Sequence, residues 1–194
     1  MTDMETQSID TKFVQRCIES NCGTVHSLDE PIYVCTTCGG LLDIEWLEPL
    51  VQHSAALSSL WQSRKTSLAI ADISGVWRFR EVLPFADTAP VISLCEGNTP
   101  LYQATRSASY CQIDSLLLKH QGANPTGSFK DTGMTVAVTQ ARVLGAKLVA
   151  CASTGNTAAS LAAYAARADL ACAILVPEGQ VSHAKLAQAL DYGA

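Results

Sequence analysis

The sequence has no excess of positive charge. Its 13 lysines and arginines stand against 18 acidic residues, for a net charge of −5 and a pI near 5.3. Phosphate backbones select basic surfaces, so this balance argues against a nucleic-acid partner. No apolar run approaches the length that spans a bilayer, and the stretch Met1 to Thr11 holds neither an apolar signal core nor an arginine-rich transit pattern. A membrane partner is therefore not expected, and a cytoplasmic location is. Charged residues are few, 16% against 48% hydrophobic, which describes a soluble globular protein somewhat rich in alanine. Repeats and low-complexity tracts are absent. Cysteine is the one residue in surplus, eight in 194. Without a secretion signal, free thiols and metal ligation fit these cysteines better than disulfides do.

A chain of this length can form one α/β domain plus a small appendage. Residues 1–45 carry four of the cysteines and form a candidate extension. Residues 46–90 place Trp46, Leu47, Leu50, Val51, Leu57, Leu60 and Trp61 at helical spacing, which predicts a helical connecting segment. From residue 91 to 194 short apolar strands alternate with longer helices. The pattern predicts strands over 115–119, 147–152 and 171–176, and helices over 131–144, 157–167 and 182–192. Gly145 is expected to end the first of these helices in a left-handed cap. Strands joined through helices imply a partial parallel sheet flanked by helices, with ligands at the loops that leave the strands' carboxyl ends.

Two such loops carry candidate chemistry. The first is Asn124-Pro125-Thr126-Gly127-Ser128-Phe129-Lys130-Asp131. An amine at a helix start, among half-buried neighbours, can be held near neutrality by desolvation and the positive helix end, which makes it a nucleophile. On that physics alone, most lysines at helix starts are simply solvated. The second loop is Ser153-Thr154-Gly155-Asn156-Thr157. Backbone N–H groups and hydroxyls at a helix N-terminus suit an anion, although the same composition also describes an ordinary N-cap.

The lysine motif, together with Glu96-Gly97-Asn98-Thr99-Pro100-Leu101, the run 152–157, Val176-Pro177-Glu178-Gly179 and the run 185–190, resembles the fold-type II pyridoxal phosphate enzymes. Within that family, whose fold is that of the tryptophan synthase β chain, it is most similar to the threonine synthases and their near relatives. The resemblance implies that Lys130 forms the Schiff base with pyridoxal phosphate and that Asn156 hydrogen-bonds the oxygen of the cofactor ring. It further implies that Ser153, Thr154 and Thr157 hold the amino-acid substrate, and that the turn 96–101 borders the pocket. Three positions depart from the family pattern. Thr132 stands where an arginine is usual, Gln121 where a glutamate is common, and Asp169 where a glycine would cap a helix. Loss of a cation beside Lys130 bears on activity. Asp169 tolerates the left-handed conformation that the cap requires.

Cys17-x4-Cys22 and Cys35-x2-Cys38, each followed by glycine, resemble the two knuckles of a zinc ribbon, and four thiolates suit tetrahedral zinc. Unliganded thiols are the alternative, and His26 is a possible substitute ligand. Cys95, Cys111, Cys151 and Cys172 are expected to be small core residues.

No glycine-rich loop follows Lys130 to cradle the cofactor phosphate. The chain is therefore expected to be the N-terminal portion of a longer enzyme and inactive by itself. The resemblance implies that the whole enzyme, expected as a homodimer, converts O-phospho-L-homoserine and water to L-threonine and phosphate. Cysteate synthase and threonine dehydratase are alternatives on the same fold. A truncated binding or regulatory protein is an alternative of another class.

Overall fold

The computed structural model describes residues 12–47, 54–177 and 183–194. The expected features at residues 1–11, Leu50, Val51, Glu178, Gly179 and Ser182 lie outside them. The chain forms two compact units. One holds the residues up to Thr66 together with Phe79–Ala89, the other Ser67–Arg78 together with Pro90–Ala194.

In the first unit, β1 (Phe13–Cys17) is the central strand of an antiparallel sheet, with β2 (Val25–His26) on one side and β3 (Leu42–Trp46) on the other. The register sets Phe13 opposite Trp46, and their rings stack with centroids 5.5 Å apart. It also sets Cys17 opposite Leu42, so β1 ends at the cysteines. Trp46 thus belongs to a strand rather than to the helical segment its spacing predicts. Helix α1 (Ser54–Ser63) follows. Beyond its end, Arg64 grips the Glu81 carboxylate, with one bond from Nη1 at 2.8 Å, and the indole of Trp61 donates to the same carboxylate at 2.9 Å.

The second unit contains α2 (Ile70–Ile73), β4 (Leu101–Gln103), α3 (Thr105–Tyr110) and β5 (Leu117–Lys119). Then come α4 (Lys130–Val143), β6 (Leu148–Ala152), α5 (Asn156–Arg167), β7 (Ala171–Leu175) and α6 (His183–Asp191). β6 and β7 pair in parallel, in register from Leu148–Ala171 to Ala152–Leu175, with α5 as their crossover. The strand expected over 115–119 is shorter and does not join them. It pairs antiparallel with β4, Leu101 opposite Lys119, as a separate two-stranded ribbon. The 13 residues 104–116, with α3 among them, join β4 to β5.

The core of this unit forms around α5. Every residue from Ala158 to Ala165 is buried. A helix buried on all sides needs small side chains so that neighbours can approach, and five of these eight residues are alanine. Val138, Leu161, Tyr164, Ala168 and Leu170 close the cluster, with Val149, Cys151, Cys172 and Ile174 of the parallel pair packed against it. Polar groups line the buried side of α4: Asp131, Thr135 and Thr139, one turn apart, are fully buried. The Thr135 hydroxyl accepts the Trp77 indole N–H at 2.7 Å and donates to the Ile92 carbonyl at 2.6 Å, while Thr139 accepts the Ile92 N–H at 3.0 Å. The helix ends at Gly145 in the left-handed conformation, φ 73°, and Asp169 adopts φ 54° after α5, as expected of both. Among the described residues no helix is long and apolar enough to cross a membrane.

Candidate functional site

Lys130 is the first residue of α4 and half-buried, its ammonium 4.8 Å from the centre of the exposed Phe129 ring. The loop ahead of it is fixed by its own polar side chains. Asn124 accepts the Gly97 N–H at 2.9 Å and donates to the carbonyl and side-chain oxygen of Gln121, at 2.8 and 3.0 Å. Gln121 therefore supplies the acceptor that a glutamate would supply there. Gly127 turns the chain with φ 83°, and a Cβ at that position would meet nothing within 4 Å. The left-handed backbone, rather than crowding, is what asks for glycine. Thr132, in place of the usual arginine, bonds back to the Phe129 carbonyl at 2.7 Å.

The second loop lies at the carboxyl ends of β6 and β7. Ser153 and Thr154 are half-buried and line an open depression with Ala152, Leu175, Val176 and Pro177. Ser153 Oγ accepts the Gly155 N–H at 3.3 Å. Asn156, exposed, and Thr157, half-buried, form the first turn of α5. The N-cap is Gly155, and no side chain caps the helix. The ordinary-cap reading of this loop thus loses its support, and the first-turn N–H groups remain suited to an anion.

Two buried carboxylates tie these pieces together, and neither was singled out in the sequence. Asp131 accepts the Thr126 N–H at 2.7 Å, the Thr126 hydroxyl at 2.5 Å and the Ser160 hydroxyl of α5 at 2.6 Å. Glu96 accepts the Leu94 N–H at 3.1 Å, the Ser93 hydroxyl at 3.1 Å to either oxygen, the Tyr164 hydroxyl at 2.7 Å, and Ser74 Oγ. Burial pushes the Tyr164 phenol up, and the bond to Glu96 pushes it further, so it remains a donor. Ser160 follows Asn156 by four residues, about 6 Å along the helix axis. The Asp131–Ser160 bond therefore brings the start of α4, with Lys130, beside the first turns of α5. A helical spacing of polar residues, 160 and 164, was the available signal; it was hidden in an alanine-rich run.

In the first unit the four predicted cysteines do converge. Their sulphurs all lie within 4.8 Å of one another, with Cys17–Cys38 at 3.5 Å and Cys22–Cys35 at 3.7 Å. Zinc bonded to four sulphurs at about 2.3 Å separates them by about 3.8 Å, so the donor set fits the ion in chemistry and spacing. Turns hold the ligands. Cys22 and Gly23 donate to the Glu19 carbonyl, and Cys35 N–H and Gly39 N–H close the second knuckle against Gly40 and Cys35 carbonyls at 2.8 Å. A Cβ on Gly40 would lie 2.6 Å from Glu19 Cγ and 3.2 and 3.3 Å from the sulphurs of Cys38 and Cys17, so a larger residue would force Glu19 aside and crowd both sulphurs. His26 is buried, and its Nδ1 lies 3.6 Å from Glu30 Oε2. It stands outside the four-sulphur cluster, and its side chain is the main influence drawing the Cys35 thiol down to about 5. The other cysteines divide: Cys151 and Cys172 are half-buried in the strands, but Cys95 and Cys111 are exposed, Cys95 with φ 62°. Cys95 lies in the irregular stretch ahead of β4 and Cys111 in the turn after α3, so neither is the core residue expected.

Residues 92–194 match the family described as pyridoxal-phosphate dependent enzyme. A threonine synthase of Methanocaldococcus jannaschii is 49% identical over 181 residues, covering 93% of this chain and 42% of that protein. One of Methanosarcina acetivorans is 45% identical over 179 residues, 92% of this chain and 40% of that protein. A threonine synthase of Synechocystis is 52% identical over 117 residues, 60% of this chain and 31% of that protein. The chain thus spans about two-fifths of the two relatives it matches over most of its length.

Proposed function

The chain belongs to the pyridoxal-phosphate-dependent enzymes, and from that premise we propose that its protein converts O-phospho-L-homoserine and water to L-threonine and phosphate. The observation that carries the reading is the placement of Lys130: it opens α4, and Asp131 beside it is bonded to α5, whose first turn has no side-chain cap. The names of the relatives, threonine synthases, supply the product. When bound, pyridoxal phosphate supplies an electron sink for negative charge developing at the amino acid's α carbon. The chain's own groups do the rest. Lys130 anchors the cofactor and afterwards moves protons at the α and β carbons. Ser153, Thr154, Thr157 and the N–H groups of α5 hold the α-carboxylate, and the Asn156 amide hydrogen-bonds the ring oxygen. The protein is proposed to be cytoplasmic and to act as a homodimer. Cys17, Cys22, Cys35 and Cys38 are proposed to hold one structural zinc ion, remote from the chemistry in role.

The test is borohydride reduction of the full-length protein with pyridoxal phosphate, followed by peptide mapping. Label is expected on Lys130, and label on Lys119, Lys147 or Lys185 instead overturns the assignment. Phosphate release from O-phosphohomoserine is expected to stop in Lys130→Ala with the fold retained. Turnover only of other β- or γ-substituted amino acids would assign the protein to a different reaction on the same fold.

A further inference from the structure

We propose that Ser160 and Asp131 are positioning residues for Lys130, with α5 serving as the common gauge that places the lysine against the anion-binding loop. Two hydroxyls on α5, Ser160 and Tyr164, are four residues apart and so share one face of the helix. Each donates to a fully buried carboxylate from a different loop, Asp131 from the lysine loop and Glu96 from the turn 96–101. The same helix begins at Asn156 and carries the loop 153–157 at its N-terminus. One rigid element thereby sets the distances among three loops that the chain visits separately.

The chemistry of Asp131 makes this link stiff. A buried carboxylate is tolerated only when hydrogen bonds replace its water, and bonds to a carboxylate are stronger than those between neutral groups. Asp131 has three donors, two from Thr126 and one from Ser160. Thr126 fixes it to its own loop, and Ser160 alone fixes it to α5. Removing the Ser160 hydroxyl leaves a charged oxygen with one donor fewer in a dry site, and the first turn of α4 must shift or admit water. Lys130 is the adjacent residue and moves with it. Because a displacement of about an ångström at a reacting group can cost about a hundredfold in rate, the loss falls on the chemical step.

The inference rests on Lys130 being the reacting amine, and the experiment separates the two. Ser160→Ala and Thr139→Val are made in the full-length protein. Thr139 lies two turns along α4 from Asp131, and its hydroxyl accepts the Ile92 N–H, so it is a control for loss of a buried hydrogen bond without a change at the loop. Ser160→Ala is expected to lower kcat by about ten- to a hundredfold with KM nearly unchanged. In the cofactor-free protein it is expected to change the acylation rate of Lys130, measured by peptide mass spectrometry against the exposed Lys147. Thr139→Val is expected to lose similar thermal stability with kcat and Lys130 reactivity near wild type. Equal kcat losses in the two variants, or unchanged Lys130 reactivity in Ser160→Ala, would overturn the proposal while leaving the lysine assignment intact. Borohydride label on another lysine in the wild-type protein would instead remove the assignment on which it rests.

Discussion

At the scale of single residues, Gly40 shows how a side chain that is missing can define a site. Its Cβ would overlap the Glu19 side chain and press closely on two of the four sulphurs. Its backbone φ lies outside the left-handed region, so alanine meets a steric objection and no torsional one. Gly40→Ala is accordingly expected to push Cys17 and Cys38 apart and lower zinc affinity at least about tenfold, the range seen when groups around metal ligands are disturbed. Competition with a chromogenic chelator measures it, and unchanged affinity would show that the close contact at Gly40 does not shape the site. The cysteines themselves were legible in the sequence, because two short cysteine spacings with glycines leave few other readings. Lys130 and the 153–157 loop were singled out through several motifs in order, and they stand at the starts of α4 and α5 as the strand and helix pattern predicts. Asp131 and Ser160 were not. A serine among alanines in a helix carries no mark that it faces a buried charge, and an aspartate in a first turn has an ordinary explanation in the helix dipole.

At the scale of elements, period and punctuation predicted α4, β6, α5 and β7 to within a residue or two, since those segments are long and bounded by Gly145 and Asp169. A strand was expected over 115–119, but β4 and its antiparallel pairing with β5 were not. Each strand has three residues, too few to show alternation, and their antiparallel pairing depends on contacts distant in sequence. The stretch after α1 is likewise held by side chains rather than by helix length. Arg64 and the Trp61 indole join the end of α1 to Glu81. Burial raises the Glu81 carboxyl, but these two partners outweigh it and bring it down to about 2, from an ordinary 4.5. A carboxylate depressed in this way contributes stability that is fully present above about pH 4.5 and is lost as pH falls through about 2. The stability difference between wild type and Glu81→Gln should be on the order of 2 kcal/mol at neutral pH and shrink over that window. Unfolding followed by tryptophan fluorescence, with Trp61 as the nearby reporter, measures it. A difference that stays constant between pH 5 and 2 would mean that the pair does not hold this segment.

At the scale of the whole molecule, the two sheets found among the described residues of the second unit are bare for their type. Parallel strands usually have both faces covered, yet Leu148 and Leu175 of the β6–β7 pair are 56% and 63% exposed. In the β4–β5 ribbon, Leu101, Tyr102, Leu117 and Leu118 are all about half exposed or more. Two-stranded sheets are marginal by themselves, and open strand edges with apolar side chains recruit other strands. The buried helix α5 and its two carboxylate bonds hold the centre, so the unit combines a firm interior with an uncovered apolar exterior. Residues 1–194 expressed alone are therefore expected to keep helical circular dichroism, bind an apolar dye and self-associate at micromolar concentration. Light scattering coupled to gel filtration distinguishes the outcomes. A dye-free monomer would show that these surfaces are tolerated in water as they stand. Oligomers dispersed by Leu148→Lys or Leu175→Lys would locate the association at the parallel pair, and oligomers dispersed only by Leu117→Lys would locate it at the antiparallel ribbon. The firm interior predicts in either case that α5 is the last element to exchange its amide hydrogens, because its opening exposes both buried carboxylates at once.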